Sequence, residues 1–110
     1  MEEYIMTIDE GTTSARAVLF NKDSEIIAMC SKEFAQYYPQ PGWVEQDPKE
    51  IWLTTKEVIN KVVADSGIDP KQIKAAGITN QRETVVVYDK NTGEPVYNAI
   101  GWADRRTAPY

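Results

Sequence analysis

Apolar and polar positions along this chain change period twice, dividing it into a strand-rich start, one helix and a more broken second half. Apolar runs over Tyr4 to Ile8 and Ala17 to Phe20 predict two strands, with a tight hairpin turn between them. A polar turn at Asn21-Lys22-Asp23-Ser24 follows. Glu25 to Phe34 then predicts a third strand, with Ile26, Ile27, Met29 and Phe34 as its apolar surface. Strands spaced this closely imply an antiparallel meander.

The period then lengthens. Tyr37 to Gln46 holds two prolines and Gly42, which exclude regular structure, and Trp43 is expected to pin this loop to the rest of the protein. A helix is predicted from Pro48 to Ser66. Asp47 caps it, Pro48 fits its first turn, Glu50 completes a capping box, and Gly67 ends it. Ile51, Thr55, Val58, Ile59, Val62 and Ser66 share one face, so the helix covers a sheet. Asp69 to Ile73 reads as one further capped turn.

Lys74 to Thr79 predicts a buried strand built on Ala75, Ala76 and Gly77, and the helix before it makes the connection a crossover. That strand should join the sheet in parallel. Asn80-Gln81-Arg82-Glu83 then lies beyond its carboxyl end, where open α/β sheets bind ligands. Val85 to Tyr88 predicts another strand, Asn91-Thr92-Gly93 a turn, and Asn98 to Trp102 a last extended piece. Asp104 to Thr107 is expected to open a helix. The fold class is α/β: a mixed sheet with an antiparallel meander and a crossover helix.

Composition narrows the function. The 110 residues make one small domain at most. A net charge of −5, from 12 basic and 17 acidic residues, disfavours a nucleic-acid partner. With no histidine, His-based triads, His general bases and His-containing zinc sites are excluded. A single Cys30 cannot form an internal disulfide, which fits a reducing cytoplasm. The acidic start lacks the pattern of a signal peptide, and no apolar run approaches a membrane span, so no membrane partner is expected.

Two segments carry candidate chemistry. Between the first two strands, Asp9 ends the first, Gly11 is expected to adopt angles closed to other residues, and Thr12, Thr13, Ser14 and Arg16 offer donors. Such a set suits a polyphosphate carrying Mg²⁺, although Asp, Gly and Thr also make ordinary hydrogen-bonded turns. Neither a Gly-Lys-Ser/Thr ending nor a Gly-x-Gly-x-x-Gly pattern is present. The second segment is Arg82-Glu83, which reads either as a surface ion pair or as a grip on polyol hydroxyls, with Trp102 as core or as a flat wall for a carbon chain.

Four blocks in order resolve these alternatives: Asp9 to Arg16, Pro41 to Pro48, Gly77 to Thr84 and Trp102 to Thr107. Together they resemble the start of the glycerol kinases, within the FGGY family of carbohydrate kinases. The resemblance covers essentially the whole chain. It implies a ribonuclease-H-like half-domain of the actin and hexokinase type, incomplete here, with residues 1–110 as the amino-terminal part of the family's N-terminal domain. It implies ATP-dependent phosphorylation of glycerol to sn-glycerol 3-phosphate, with Mg²⁺. Thr12, Thr13, Ser14 and Arg16 would handle the nucleotide, Asp9 the metal, and Arg82, Glu83 and Trp102 the glycerol.

The resemblance also implies a cytoplasmic homo-oligomeric parent several times longer, whose general-base aspartate lies beyond residue 110. The chain alone is expected to be inactive. The other readings are another FGGY sugar kinase, a non-catalytic phosphate-binding module, and, more remotely, a ribonuclease-H-like nuclease. Four positions depart from the family pattern: Glu10 replaces a usual glutamine, Ala15 a common serine, and Gly101 and Ala103 larger residues.

Overall fold

In the computed structural model, which describes residues 1–110, the first three strands are β1 (Tyr4–Glu10), β2 (Ser14–Asn21) and β3 (Ile26–Glu33). They form the expected antiparallel meander, with Glu10 opposite Ala15 and Ser14 opposite Glu33. A short β4 (Glu45–Gln46) precedes the helix α1 (Pro48–Ser66). A single 3-10 turn over Pro70–Gln72 then leads into β5 (Ile73–Thr79), which pairs in parallel with β1. The main sheet thus runs β3-β2-β1-β5. β6 (Ala99–Ile100) pairs with β4 in a second, two-stranded sheet.

Alternation decides which side chains meet the helix. Met6 from β1 and Ala15, Ala17 and Leu19 from β2 point to one face, where Val58 and Val62 of α1 close over them. The two alanines are fully buried, and their small size lets the helix lie close to the strand. Burying a side chain the size of Leu19 contributes about 1.5–3 kcal/mol.

The helix ends behave as predicted, with one difference. Asp47 accepts from the Lys49 N–H, and Gly67 closes the helix at φ 72°. Glu50 does not complete a capping box; its carboxylate accepts from the Tyr37 hydroxyl at 3.0 Å and from the Ala35 N–H. Tertiary partners from the preceding loop outcompete the local cap.

Three further expectations are corrected. β5 is not buried. Helix α1 packs over β2 and β3 and barely reaches β1, so Ala76 and Ile78 stand exposed at the sheet edge. Val85 to Tyr88 is no strand of the sheet; it makes only isolated bridges, Val85 to Ile100 and Tyr88 to Pro95. Asp104 to Thr107 turns without becoming a helix. The molecule is accordingly open: its radius of gyration is 16.6 Å, against roughly 13 Å for a compact domain of this length.

Candidate functional site

The β1–β2 hairpin places the first set of candidate residues. Asp9 and Arg16 face each other across the ladder, and their side chains pair at 3.5 Å while both stay about half exposed. Glu10, one residue on, points to the opposite face. Its carboxylate meets the Thr55 hydroxyl of α1 at 2.7 Å, so the added charge is directed towards the helix instead of the hairpin tip. Ala15 is core, where a small side chain is required.

Gly11, Thr12 and Thr13 form the tip. The expectation for Gly11 is corrected: its φ is not positive, unlike those of Gly42, Gly67 and Gly93. Glycine is needed there for space, because a Cβ would stand 3.0 Å from the Ser14 carbonyl oxygen, which accepts from the Gly11 N–H.

The parallel pairing of β5 with β1 brings the second set alongside. Asp9 lies opposite Thr79, the last residue of β5, so Asn80 to Glu83 emerges beside the tip. The result is a cleft of about 470 Å³ lined by Gly11, Thr12, Asn80, Gln81, Arg82, Glu83 and Trp102. Of the eight predicted site residues, Thr12, Arg82, Glu83 and Trp102 line this one cleft. Asp9, Thr13, Ser14 and Arg16 stay on the adjoining hairpin, outside its lining. Glu83 sits at φ 61°, a left-handed conformation that costs a non-glycine residue of order 1–2 kcal/mol. Strain of this kind concentrates where a side chain must be aimed.

Trp102 reaches the cleft from the other side. Its indole N–H donates to the Thr12 hydroxyl at 3.0 Å. Gly101 before it is buried against Val44, where a Cβ would come within 3.4 Å of two Val44 atoms. Gly101 therefore serves packing behind Trp102 and not the cleft wall, and Ala103 is exposed.

A charged cluster that sequence reasoning did not single out holds this arrangement. Arg106 donates to Glu45 and to Asp104, each at 2.7 Å, while its guanidinium stacks on Trp43 at 3.8 Å. The Tyr97 hydroxyl and the Asn98 amide also donate to Glu45, and the Val44 N–H donates to Asp104. Trp43 thus pins its loop as expected, through a cation.

Burial pushes the Glu45 carboxyl up, but hydrogen bonds from Arg106, Tyr97 and Asn98 outweigh it and hold it below its ordinary value. The Arg106 hydrogen bond holds Asp104 well below the carboxylate range, against its own burial. The available signal was position: Glu45 and Arg106 both lie inside the blocks that carry the family resemblance, yet nothing local pairs them.

No group of three or more acidic, Cys or His side chains converges. Asp9, on β1 beside the tip, offers one carboxylate, which fits Mg²⁺, an ion that keeps several waters and takes few protein ligands.

Comparison with known proteins identifies the family. Residues 4–110 match the FGGY family of carbohydrate kinases, N-terminal domain. A glycerol kinase of Chromobacterium violaceum is 56% identical over 109 residues, 99% of this chain and 22% of that one. The chain thus spans about a fifth of the length of the curated relatives it matches. Among solved structures, Plasmodium falciparum glycerol kinase with ADP superposes with a TM-score of 0.87 at 32% identity, covering 98% of this chain and 22% of that one. A gluconate kinase from Lactobacillus acidophilus superposes at 0.86 with 28% identity, covering 96% of this chain and 20% of that one. The mixed sheet, its crossover helix and the match across residues 4–110 lead to one conclusion: this chain belongs to the FGGY family of carbohydrate kinases.

Proposed function

We propose that the whole protein is an ATP-dependent glycerol kinase and that this chain is its amino-terminal part, contributing one wall of the site. The observation that carries the reading is the shared cleft. Thr12 of the phosphate-binding hairpin, the Arg82-Glu83 pair and the Trp102 ring all line it. In this reading the wall holds a nucleotide's terminal phosphate and a small polyol side by side, and phosphoryl transfer depends mainly on such positioning and on charge stabilisation.

Each residue has a role in this reading. The hydroxyls of Thr12, Thr13 and Ser14 and the guanidinium of Arg16 bind nucleotide phosphates. Glu83 accepts from glycerol hydroxyls, Arg82 donates to hydroxyl oxygens, and Trp102 covers the carbon chain. Asp9 would hold Mg²⁺, which supplies charge neutralisation on the phosphates. The present ion pair of Asp9 with Arg16 is exposed and therefore weak enough to rearrange. The general base belongs to the remaining length of the whole protein, and its site of action is the cytoplasm, as a homo-oligomer. No helix here is long and apolar enough to cross a membrane.

Another FGGY sugar kinase is the second reading, because gluconate and xylulose kinases share the fold at TM-scores of 0.86 and 0.84. Identity favours glycerol: among solved structures a glycerol kinase stands at 32% against 28% and 29% for those two, and curated glycerol kinases reach 55–58%. The experiment is a coupled ADP-release assay on the full-length protein with glycerol, xylulose and gluconate offered separately. Turnover with glycerol at least tenfold above the others is expected, and a preference for either sugar acid or ketose would overturn the substrate assignment.

A further inference from the structure

The hairpin tip is held from behind by two glutamines. Gln46, on β4, is fully buried. Its Nε2 donates to the Thr12 carbonyl at 2.8 Å and to Gln36 Oε1 at 2.9 Å. Gln36 Nε2 donates to the same Thr12 carbonyl at 3.1 Å. Both atoms facing Gln46 Nε2 are acceptors, so a flipped carboxamide would set oxygen against oxygen. In the productive orientation Gln46 Oε1 is buried with no partner. Native proteins keep few such orphaned acceptors, and each calls for a reason in its surroundings.

The reason lies in the peptide it grips. The bond between Thr12 and Thr13 is trans and planar, so the Thr13 N–H points opposite to the Thr12 carbonyl. Neither the Thr12 N–H nor the Thr13 N–H donates to any other part of the chain. Drawing the carbonyl inward therefore turns the Thr13 N–H outward as a free donor. We propose that Gln46 is a positioning residue for phosphoryl transfer: with Gln36 it locks the Thr12 carbonyl inside the protein and so presents the Thr13 N–H to a nucleotide phosphate. This rests on the reading of the whole protein as an ATP-dependent kinase.

The clamp also ties the two substrates' walls together. β4 pairs with β6, placing Gln46 opposite Ala99, and β6 leads directly to Trp102, whose indole holds the other polar end of Thr12. One small sheet thus fixes Thr12 by its carbonyl and by its hydroxyl.

The test uses the full-length protein carrying Gln46→Met, which keeps the bulk and removes the donor. Calorimetric titration with Mg·ADP should show binding weakened about tenfold, the scale expected when a preorganised donor is misdirected, with kcat lowered and glycerol KM changed less than about twofold. The melting temperature checks that the variant is folded. Nucleotide affinity and kcat within twofold of the parent in a folded variant would overturn the proposal, as would equal losses for both substrates.

If Gln46→Met does not fold, Gln36→Met removes the second donor to the same carbonyl from a half-buried position, and the same nucleotide-selective loss is required of it. The ADP titration separates the two claims. A parent protein that binds Mg·ADP yet phosphorylates no glycerol refutes the substrate reading alone, whereas one that binds no nucleotide refutes both.

Discussion

The Trp102 indole N–H donates to the Thr12 hydroxyl at 3.0 Å, joining residues 90 positions apart across the mouth of the cleft. The bond ties the Trp102 ring to the hairpin tip, so the two sides of the cleft are held in one arrangement.

Substitutions in the full-length protein should separate contact from fold at this cleft. Glu83→Gln keeps the shape but presents an NH₂ where a hydroxyl needs an acceptor. A lost or mispaired hydrogen bond of ~1–3 kcal/mol corresponds to a roughly 5- to 150-fold fall in kcat/KM for glycerol. Mg·ATP binding without glycerol should change little. Glu83→Gly should lower kcat/KM at least as far while leaving the melting temperature unchanged or higher, because glycine relieves the left-handed backbone at φ 61°. A Gly variant that melted earlier would show that the Glu83 side chain serves the fold.

The packing of the hairpin tip gives a different signature. Gly11→Ala directs a Cβ to within 3.0 Å of the Ser14 carbonyl, a backbone atom that cannot swing aside. The tip must open, at a cost of about 1–3 kcal/mol in stability. Nucleotide affinity should fall with it. Denaturant titration and Mg·ADP binding measured on the same variant check both, and an unchanged midpoint would show that the tip tolerates the shift.

The cluster around Arg106 makes acid stability predictable. Glu45 and Asp104 are both held below their ordinary values of 4.5 and 3.8. A carboxyl depressed in the fold contributes stability that is complete above its unfolded value and is lost as pH falls through the folded one. Thermal melts of the whole protein should therefore be level near neutrality and decline below about pH 4.5. Arg106→Leu leaves buried carboxylates without their cation and should cost about 3–5 kcal/mol at pH 7. The deficit should shrink at pH 4, where Glu45 can protonate. An equal deficit at both values would argue that Arg106 matters through its stacking on Trp43 instead.

The chain of 110 residues by itself should show no glycerol-dependent ATP turnover and should self-associate. Ile78 on the uncovered strand β5 is 72% exposed, and Trp52 and Leu53 are about 60% exposed on α1. Sedimentation at increasing concentration and an ADP-coupled assay free of host kinase test this. A clean monomer with a sharp, concentration-independent melt would count against the association.

What the sequence determined by itself is whatever depends on neighbours close along the chain. Asp47 and Gly67 bound α1 through their own backbone preferences, and the meander follows from alternation and two short connections. The parallel sense of β5 follows from the crossover connection, and the residues of the cleft stood in blocks that match a family. Only the tertiary structure decided the rest. The pairing of Glu45 with Arg106 spans 61 residues and leaves no local pattern, because neither charge has reason to be buried until the other arrives. Glu10 turns from the hairpin tip towards α1 because the helix brings the Thr55 hydroxyl to its carboxylate. Glu50 leaves its cap for Tyr37 for the same kind of reason. Strand β5 reads as buried from its small residues, yet burial belongs to whatever packs on it, and α1 reaches only its neighbours.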